Sequence, residues 1–325
     1  VGGASNDGLN TGSALTHNYG DEARGEVFID DSNRVYVASC TQSVNFPTTS
    51  GSQEQTFQGV QDGCAFSLSS DFSQLTWSTY LGGSASDAAY SIKVNENIIQ
   101  IAGGTTSQNF PTTSGSLHPD YLGGVSDGFV AVLDTTGSIS DATFIGTDQY
   151  DQVFFLDNDS EGNIFCVGQT GGNYPVTGNV YSNVNGKQFI QKLSPELNAS
   201  LLSTKFGSSS AEGDISITAF LVDKCNHVYV AGWGGNLPGQ SGNTFGLPVT
   251  PDAYQLTTDG TDFYFIVFGF NLNELLYATY FGGNGVQEHV DGGTSRFDKN
   301  GAIYEAVCAG CGGSDLFPTT SGAWS

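Results

Sequence analysis

The sequence predicts an all-β fold, a β-propeller built of four-stranded blades, with about five blades visible. Three observations predict it. One motif recurs along the chain at a nearly fixed interval. A second motif keeps phase with it. The composition is rich in glycine and poor in charge, with 45 glycines in 325 residues, 13% charged and 12% aromatic. That mix suits short strands joined by tight turns and disfavours long surface helices. With 38% hydrophobic residues the chain can bury a large core, so disorder is not expected.

The first motif is Phe46-Pro47-Thr48-Thr49-Ser50-Gly51. It recurs as Phe110-Pro111-Thr112-Thr113-Ser114-Gly115 and as Phe317-Pro318-Thr319-Thr320-Ser321-Gly322. Looser copies are Tyr174-Pro175-Val176-Thr177 and Leu247-Pro248-Val249-Thr250, so the successive spacings are 64, 64, 73 and 70 residues. The second motif is Ser78-Thr79-Tyr80-Leu81-Gly82-Gly83. Its copies are Ala142 to Gly146, Ser203 to Gly207 and Ala278 to Gly283.

Each unit reads as four strands. The second unit gives Ser91 to Val94, Ile98 to Ala102, Phe129 to Leu133 and Ile139 to Ile145. The third gives Val153 to Asp157, Ile164 to Gly168, Phe189 to Leu193 and Leu201 to Phe206. The fourth gives Ile217 to Asp223, Val228 to Ala231, Phe263 to Phe270 and Leu275 to Tyr280. A four-stranded sheet cannot bury both faces alone, and stacking such sheets does so while leaving short edges. The Phe-Pro follows strand two, where a proline ends pairing without the loss of a ladder bond. We read one propeller region over residues 1–325, with units at 4–83, 84–146, 147–207, 208–283 and an incomplete 284–325. The phase of the repeat suggests a piece of a larger propeller.

The net charge is −24, with nine basic residues. A nucleic-acid backbone would be repelled, and so would an anionic membrane surface. The longest apolar run, around Phe263 to Phe270, is strand-sized, so no membrane insertion is expected. The chain begins at Val1 and shows no signal peptide. Six cysteines in a chain without methionine lean towards an oxidising exterior.

Candidate site residues are few. The turns between strands one and two are acidic, and Asp157, Asp159 and Glu161 form the copy nearest to a calcium loop. The competing reading is an Asx turn, in which the short side chain bonds its own backbone. No other cofactor is expected. Cys64 lies in the third strand of the unit that holds Cys40, which makes Cys40–Cys64 a candidate disulfide within one blade. Cys308 falls where Cys40 falls, and its corresponding partner would lie beyond Ser325. Cys166 reads as a buried strand residue and Cys225 as a turn residue. His17, His118, His227 and His289 lack ligand spacing and read as ordinary turn or surface residues. Trp77 reads as core, Trp233 as a loop residue able to stack on a sugar, and Trp324 as a further such candidate. No catalytic triad, phosphate loop or paired catalytic carboxylate stands out.

The unit resembles the SBBP (seven-bladed β-propeller) repeat. The residues that carry the likeness are Asp31 to Val37, Asn45-Phe46-Pro47-Thr48-Thr49, Asp127 to Leu133 and Ser78 to Gly83. Asn18 to Glu26 and Cys308 to Gly313 resemble a narrower group, the large secreted proteins of Bacteroidota linked to gliding motility and type IX secretion. The resemblance implies an extracellular or cell-surface protein, exported across the outer membrane, and supplies no catalytic activity.

The first functional expectation is a non-enzymatic structural or binding module of a large surface protein, serving adhesion or docking. Its partners would be other domains of the same protein, surface or secretion proteins, or glycans. A second is a subunit or cargo of a surface filament or secretion machinery, since uncovered blade edges invite pairing. A third is a propeller enzyme acting on an extracellular polymer, which needs His or acidic residues converging from inner strands.

Overall fold

A computed structural model gives the fold and describes all residues except 209–212, 235–241, 286, 291–294, 312, 314, 315, 324 and 325. The fold is an all-β propeller of four-stranded antiparallel blades. The first sheet holds β1 (Glu26–Ile29), β2 (Val35–Thr41), β3 (Asp62–Leu68) and β4 (Leu75–Leu81) in chain order. The second holds β5 (Asp87–Asn95), β6 (Ile98–Thr105), β7 (Asp127–Leu133) and β8 (Ile139–Ile145). The third holds β9 (Asp151–Asn158), β10 (Ile164–Thr170), β11 (Gln188–Leu193) and β12 (Ser200–Phe206). The fourth holds β13 (Ser216–Val222), β14 (Val228–Trp233), β15 (Phe263–Phe268) and β16 (Leu275–Phe281). Two short ribbons follow, β17 (Gln287–His289) with β20 (Cys308–Cys311), and β18 (Ser295–Phe297) with β19 (Ile303–Glu305).

The chain divides into two compact units, residues 1–175 with 189–203, and residues 176–188 with 204–325. In the first unit the sheets bury both faces, so β7 is buried at every position. Tyr36, Trp77, Ile92, Ile101, Phe129 and Phe144 pack between the first and second sheets. Val130, Ile145, Val153, Leu156, Ile164 and Phe189 pack between the second and third. Burial on two faces explains near-continuous apolar runs in place of strict alternation.

The structure explains the recurrent Phe-Pro-Thr-Thr. The aromatic residue is a plug: Phe110 lies 4.3 Å from Phe129, and Tyr174 stacks at 4.0 Å on Phe189. The second threonine covers the outer edge strand. Thr49 N donates to Ser78 O at 3.0 Å, and Ser78 N donates to Thr49 Oγ1 at 2.9 Å. Thr113 does the same with Ala142 (3.0 and 3.0 Å), and Thr250 with Ala278 (3.0 and 3.2 Å). The threonine of the second motif completes the cover, since Thr79, Thr143 and Thr279 Oγ1 accept from Glu54, His118 and Gln255 N at 2.9, 2.8 and 3.0 Å. These bonds occupy outward backbone groups of the fourth strand in these three sheets.

Three further expectations change. The Cys40–Cys64 bridge is not formed, and both thiols are free and buried. Cys40 pairs with Gly63, and Cys64 pairs with Ser39. A one-residue offset points the two side chains to opposite faces of the sheet. Cys308 is disulfide-bonded within the chain, not to a residue beyond Ser325. Trp233 ends β14, is buried, and lies 5.8 Å from His289. Trp77 is core, as expected. Trp324 and the side chain of Cys311 lie outside the described residues.

The free cysteines make a direct prediction. Burial pushes the Cys40 and Cys166 thiols up to about 12 and the Cys64 thiol well up, whereas Cys225 is exposed. The thiolate is the reactive form. Native protein treated with a maleimide is expected to carry the label at Cys225 and not at Cys40, Cys64 or Cys166, as read by peptide mapping.

Candidate functional site

The site begins with a bulge repeated at the same place in successive sheets. In β5 the register passes from Ala89 opposite Gly103 to Ser91 opposite Ala102, leaving Tyr90 as the extra residue. In β9 it passes from Val153 opposite Gly168 to Phe155 opposite Val167, leaving Phe154. A bulge kinks its strand and re-aims one side chain. The kink brings a carbonyl against the neighbouring strand, where only glycine fits. A Cβ on Gly103 would sit 1.9 Å from Ala88 O, and one on Gly168 2.0 Å from Gln152 O.

The re-aimed side chains meet the segment that precedes β1. Tyr90 Oη donates to Gln152 Oε1 at 2.7 Å and receives Asn10 Nδ2 at 3.1 Å. Asn10 Oδ1 accepts from Gln61 Nε2 at 2.8 Å. Asn18 and Gln169 exchange two amide hydrogen bonds, at 2.9 and 3.0 Å. Arg24 lies 4.1 Å over the Phe154 ring and pairs with Asp21 at 2.5 Å, and both are buried. Burial raises the Asp21 carboxyl, against the opposing pull of Arg24 and Asn18.

Over this buried network sit two half-buried rings. His17 and Tyr150 lie with ring centroids 4.4 Å apart and their planes tilted by 32°. Gln152 Nε2 donates to Tyr150 Oη at 2.7 Å, so the hydroxyl keeps its own proton to give. Burial holds the Tyr150 phenol well above its ordinary range, so it is protonated at neutral pH. An imidazole that can accept a proton thus lies against a phenol that can donate one.

The structure places the three residues singled out for calcium, Asp157, Asp159 and Glu161, at the turn between β9 and β10. Asp159 accepts from Glu161 N, Asn163 N and Asn163 Nδ2, each at 2.9 Å, and pairs with Lys192 Nζ at 2.7 Å. Burial acts to raise this carboxyl, but Lys192 and Asn163 hold it below its usual value. Asp157 Oδ1 accepts from Asn158 N. Glu161 lines a cleft of about 450 Å³ with Asp134, Asp141 and Glu196. The geometry is that of an Asx turn with a lysine on it, and no group of three His, Cys, Asp or Glu able to hold a metal occurs among the described residues.

Sequence reasoning missed His17, Tyr90 and Tyr150. A signal existed for part of this: Tyr90 and Phe154 stand 64 residues apart, at the interval of the repeat. The segment holding His17 shows no such periodicity.

No family model and no curated protein matches the chain, so the likeness to the SBBP repeat rests on its motifs alone. Solved structures do show similarity. One is a polysaccharide lyase, a PL25 ulvan lyase bound to -[GlcA(1-4)Rha3S]-, at 14% identity and a TM-score of 0.46 over 95% of this chain and 68% of the other. Another is a glycoside hydrolase family 43 arabinoxylan arabinofuranohydrolase from Bacillus subtilis in complex with cellotetraose, at 13% identity and 0.39 over 96% and 69%. A third is the GH43 protein BlXynB from Bacillus licheniformis, at 11% identity and 0.34 over 97% and 60%. Likeness at this level concerns the arrangement of strands and assigns no chemistry. The expectation of a non-enzymatic docking module is not what these solved structures are themselves: each is described as a carbohydrate-active enzyme. No helix among the described residues is long and apolar enough to cross a membrane.

Proposed function

We propose that the chain is part of a propeller enzyme that acts on an extracellular polysaccharide. The observation that carries the reading is the half-buried His17–Tyr150 pair, in ring contact at 4.4 Å beside a buried polar network. In hydrolysis Tyr150 gives a proton to the leaving sugar oxygen as the glycosidic bond breaks, and His17 takes a proton from the water that bonds to the anomeric carbon. Gln152 fixes the phenol, and the Arg24–Asp21 pair fixes the segment that carries His17. The net charge of −24 disfavours polyanionic polymers, so the substrate class is a neutral glycan. The acidic composition and the likeness of its motifs to those of exported surface proteins support a place of action outside the cell.

The test is release of reducing ends from a panel of neutral polysaccharides by the wild type, His17→Ala and Tyr150→Phe. Wild type is expected to cleave at least one. Each variant is expected to lose roughly 100-fold or more in rate with its melting temperature unchanged. Uronate-containing polymers, followed by ultraviolet absorbance of unsaturated product, form a second arm. Cleavage there alone would overturn the neutral substrate class. No cleavage of any polymer by the wild type would overturn the enzyme reading.

A further inference from the structure

Acidic residues open strands at matching places in successive sheets. Asp62 and Asp127 open third strands, and Asp262 immediately precedes one. Asp87 and Asp151 open the following first strands, Asp214 stands two residues before β13, and Glu288 lies in the short strand β17. All are buried. They converge in pairs over the glycine that ends the fourth strand. A Cβ on Gly82 would lie 2.6 Å from Asp87 Oδ2 and 2.8 Å from Asp62 Oδ1. One on Gly282 would lie 2.0 Å from Asp262 Oδ1 and 3.1 Å from Glu288 Oε2. Asp127 lies within electrostatic reach of Asp151.

Two buried carboxylates cannot both stay ionised at such range without a partner. Yet Asp127 Oδ1, Asp151 Oδ1, Asp262 Oδ1 and Glu288 Oε2 are buried without a hydrogen-bond partner. The remaining position of the series shows what is missing. Gln188 opens β11 where the other sheets place Asp, and it meets Asp214, whose Oδ2 would lie 2.3 Å from a Cβ on Gly207. In the amide orientation that satisfies both groups, Gln188 donates to Asp214 Oδ2 at 3.2 Å and accepts from Asp214 N at 2.9 Å. An amide here does what a protonated carboxyl would do.

We propose that Asp62–Asp87, Asp127–Asp151 and Asp262–Glu288 are acid–carboxylate pairs that each share one proton, and that they make the fold sensitive to pH near neutrality. Burial is the main cause that raises Asp62, Asp127, Asp151 and Glu288 to about 7 and Asp87 to about 6. Such macroscopic values belong to the pairs. Nearby groups add repulsion or are neutral phenols and a neutral thiol. Glu54, Tyr80 and Cys64 face Asp62, and Tyr121, Tyr174 and Asp148 surround the Asp127–Asp151 pair. Asp259 and Tyr280 face Asp262 and Glu288. Hydroxyl and backbone donors oppose the shift, with Gln58 and Gly59 N on Asp62, Thr105, Ser107 and Gly83 N on Asp87, Leu122 N on Asp127, Thr147 on Asp151, Asp259 N on Asp262 and Gly283 N on Glu288.

The sign follows from the raised folded values. The stabilisation is complete below the unfolded carboxyl value near 3.8 and is lost as the pH rises through about 7. The test is melting temperature at pH 5 and pH 8.5 for the wild type, Asp127→Asn and Gln188→Glu. Wild type is expected to melt lower at pH 8.5 than at pH 5. Asp127→Asn installs the amide solution, and is expected to melt about 5 °C or more above wild type at pH 8.5 and with it at pH 5. Gln188→Glu creates a new acid pair and is expected to melt below wild type at pH 8.5 only. A wild-type melting temperature that does not fall with pH, or a Gln188→Glu effect equal at both pH values, would overturn the proposal. So would calcium raising wild type to the level of Asp127→Asn at pH 8.5, which would mean that a cation fills the gap. Should Asp127→Asn fail to fold, the wild-type profile and Gln188→Glu decide.

Discussion

Arg24→Met is expected to destabilise the protein by about 3–5 kcal/mol, because it leaves a buried carboxylate without its cation. Asp21 is fully buried, and Arg24 touches it at 2.5 Å while lying over Phe154. Methionine preserves much of the apolar stem and removes the charge. The Asp21 carboxyl, already raised by burial, then loses a main influence that lowers it. Its protonated form is favoured further, so the loss should grow as the pH rises from mildly acidic to alkaline. Urea unfolding at two pH values reads both the size and the slope. The double variant Asp21→Asn, Arg24→Met should recover most of the stability, since replacing both partners removes the orphaned charge. A single-variant loss below about 1 kcal/mol would mean that the pair does not anchor this segment.

Gly103→Ala is the second large effect, at about 3 kcal/mol or more. The added methyl would meet Ala88 O at 1.9 Å and the Phe129 ring at 2.8 Å. A side chain could yield by rotation, but a carbonyl fixed in the β5 ladder cannot. Relief would require β5 to lose the bulge that presents Tyr90. The expected result is a lower unfolding midpoint together with a weakened hold on residues 10–24, seen as faster amide exchange there. Gly115→Ala is the contrast. Nothing lies within 4 Å of its Cβ, and its cost comes only from a φ of +94°. Its loss should be near 1 kcal/mol, with no change in exchange at residues 10–24. Equal losses at the two glycines would contradict the packing argument.

The strands were legible because two-face burial leaves long apolar runs with glycine at their ends. Ile139–Ile145 is the predicted strand residue for residue. The buried acids were not legible. Asp at a strand start is what a solvated turn also shows, and only the third dimension sets Asp127 against Asp151 and Gln188 against Asp214. Trp233 misled for a related reason: its flanking glycines suggest a loop, whereas Gly232 is the tight position of a strand, with a Cβ there 2.8 Å from Ser216 O. The disulfide was misjudged because proximity in the repeat does not include the facing of side chains. His17 carries no pattern at all, since its segment takes its shape from hydrogen bonds to other strands.

The threonine that covers each outer strand has a consequence for how such chains survive at high concentration. Repeats of one design, strung along a single polypeptide, are each other's best templates for sheet extension. With Thr49, Thr113 and Thr250 already bonded to Ser78, Ala142 and Ala278, each of these edges offers fewer open backbone groups to a sister copy. A short surface loop thus acts as a guard against runaway self-association and strand exchange.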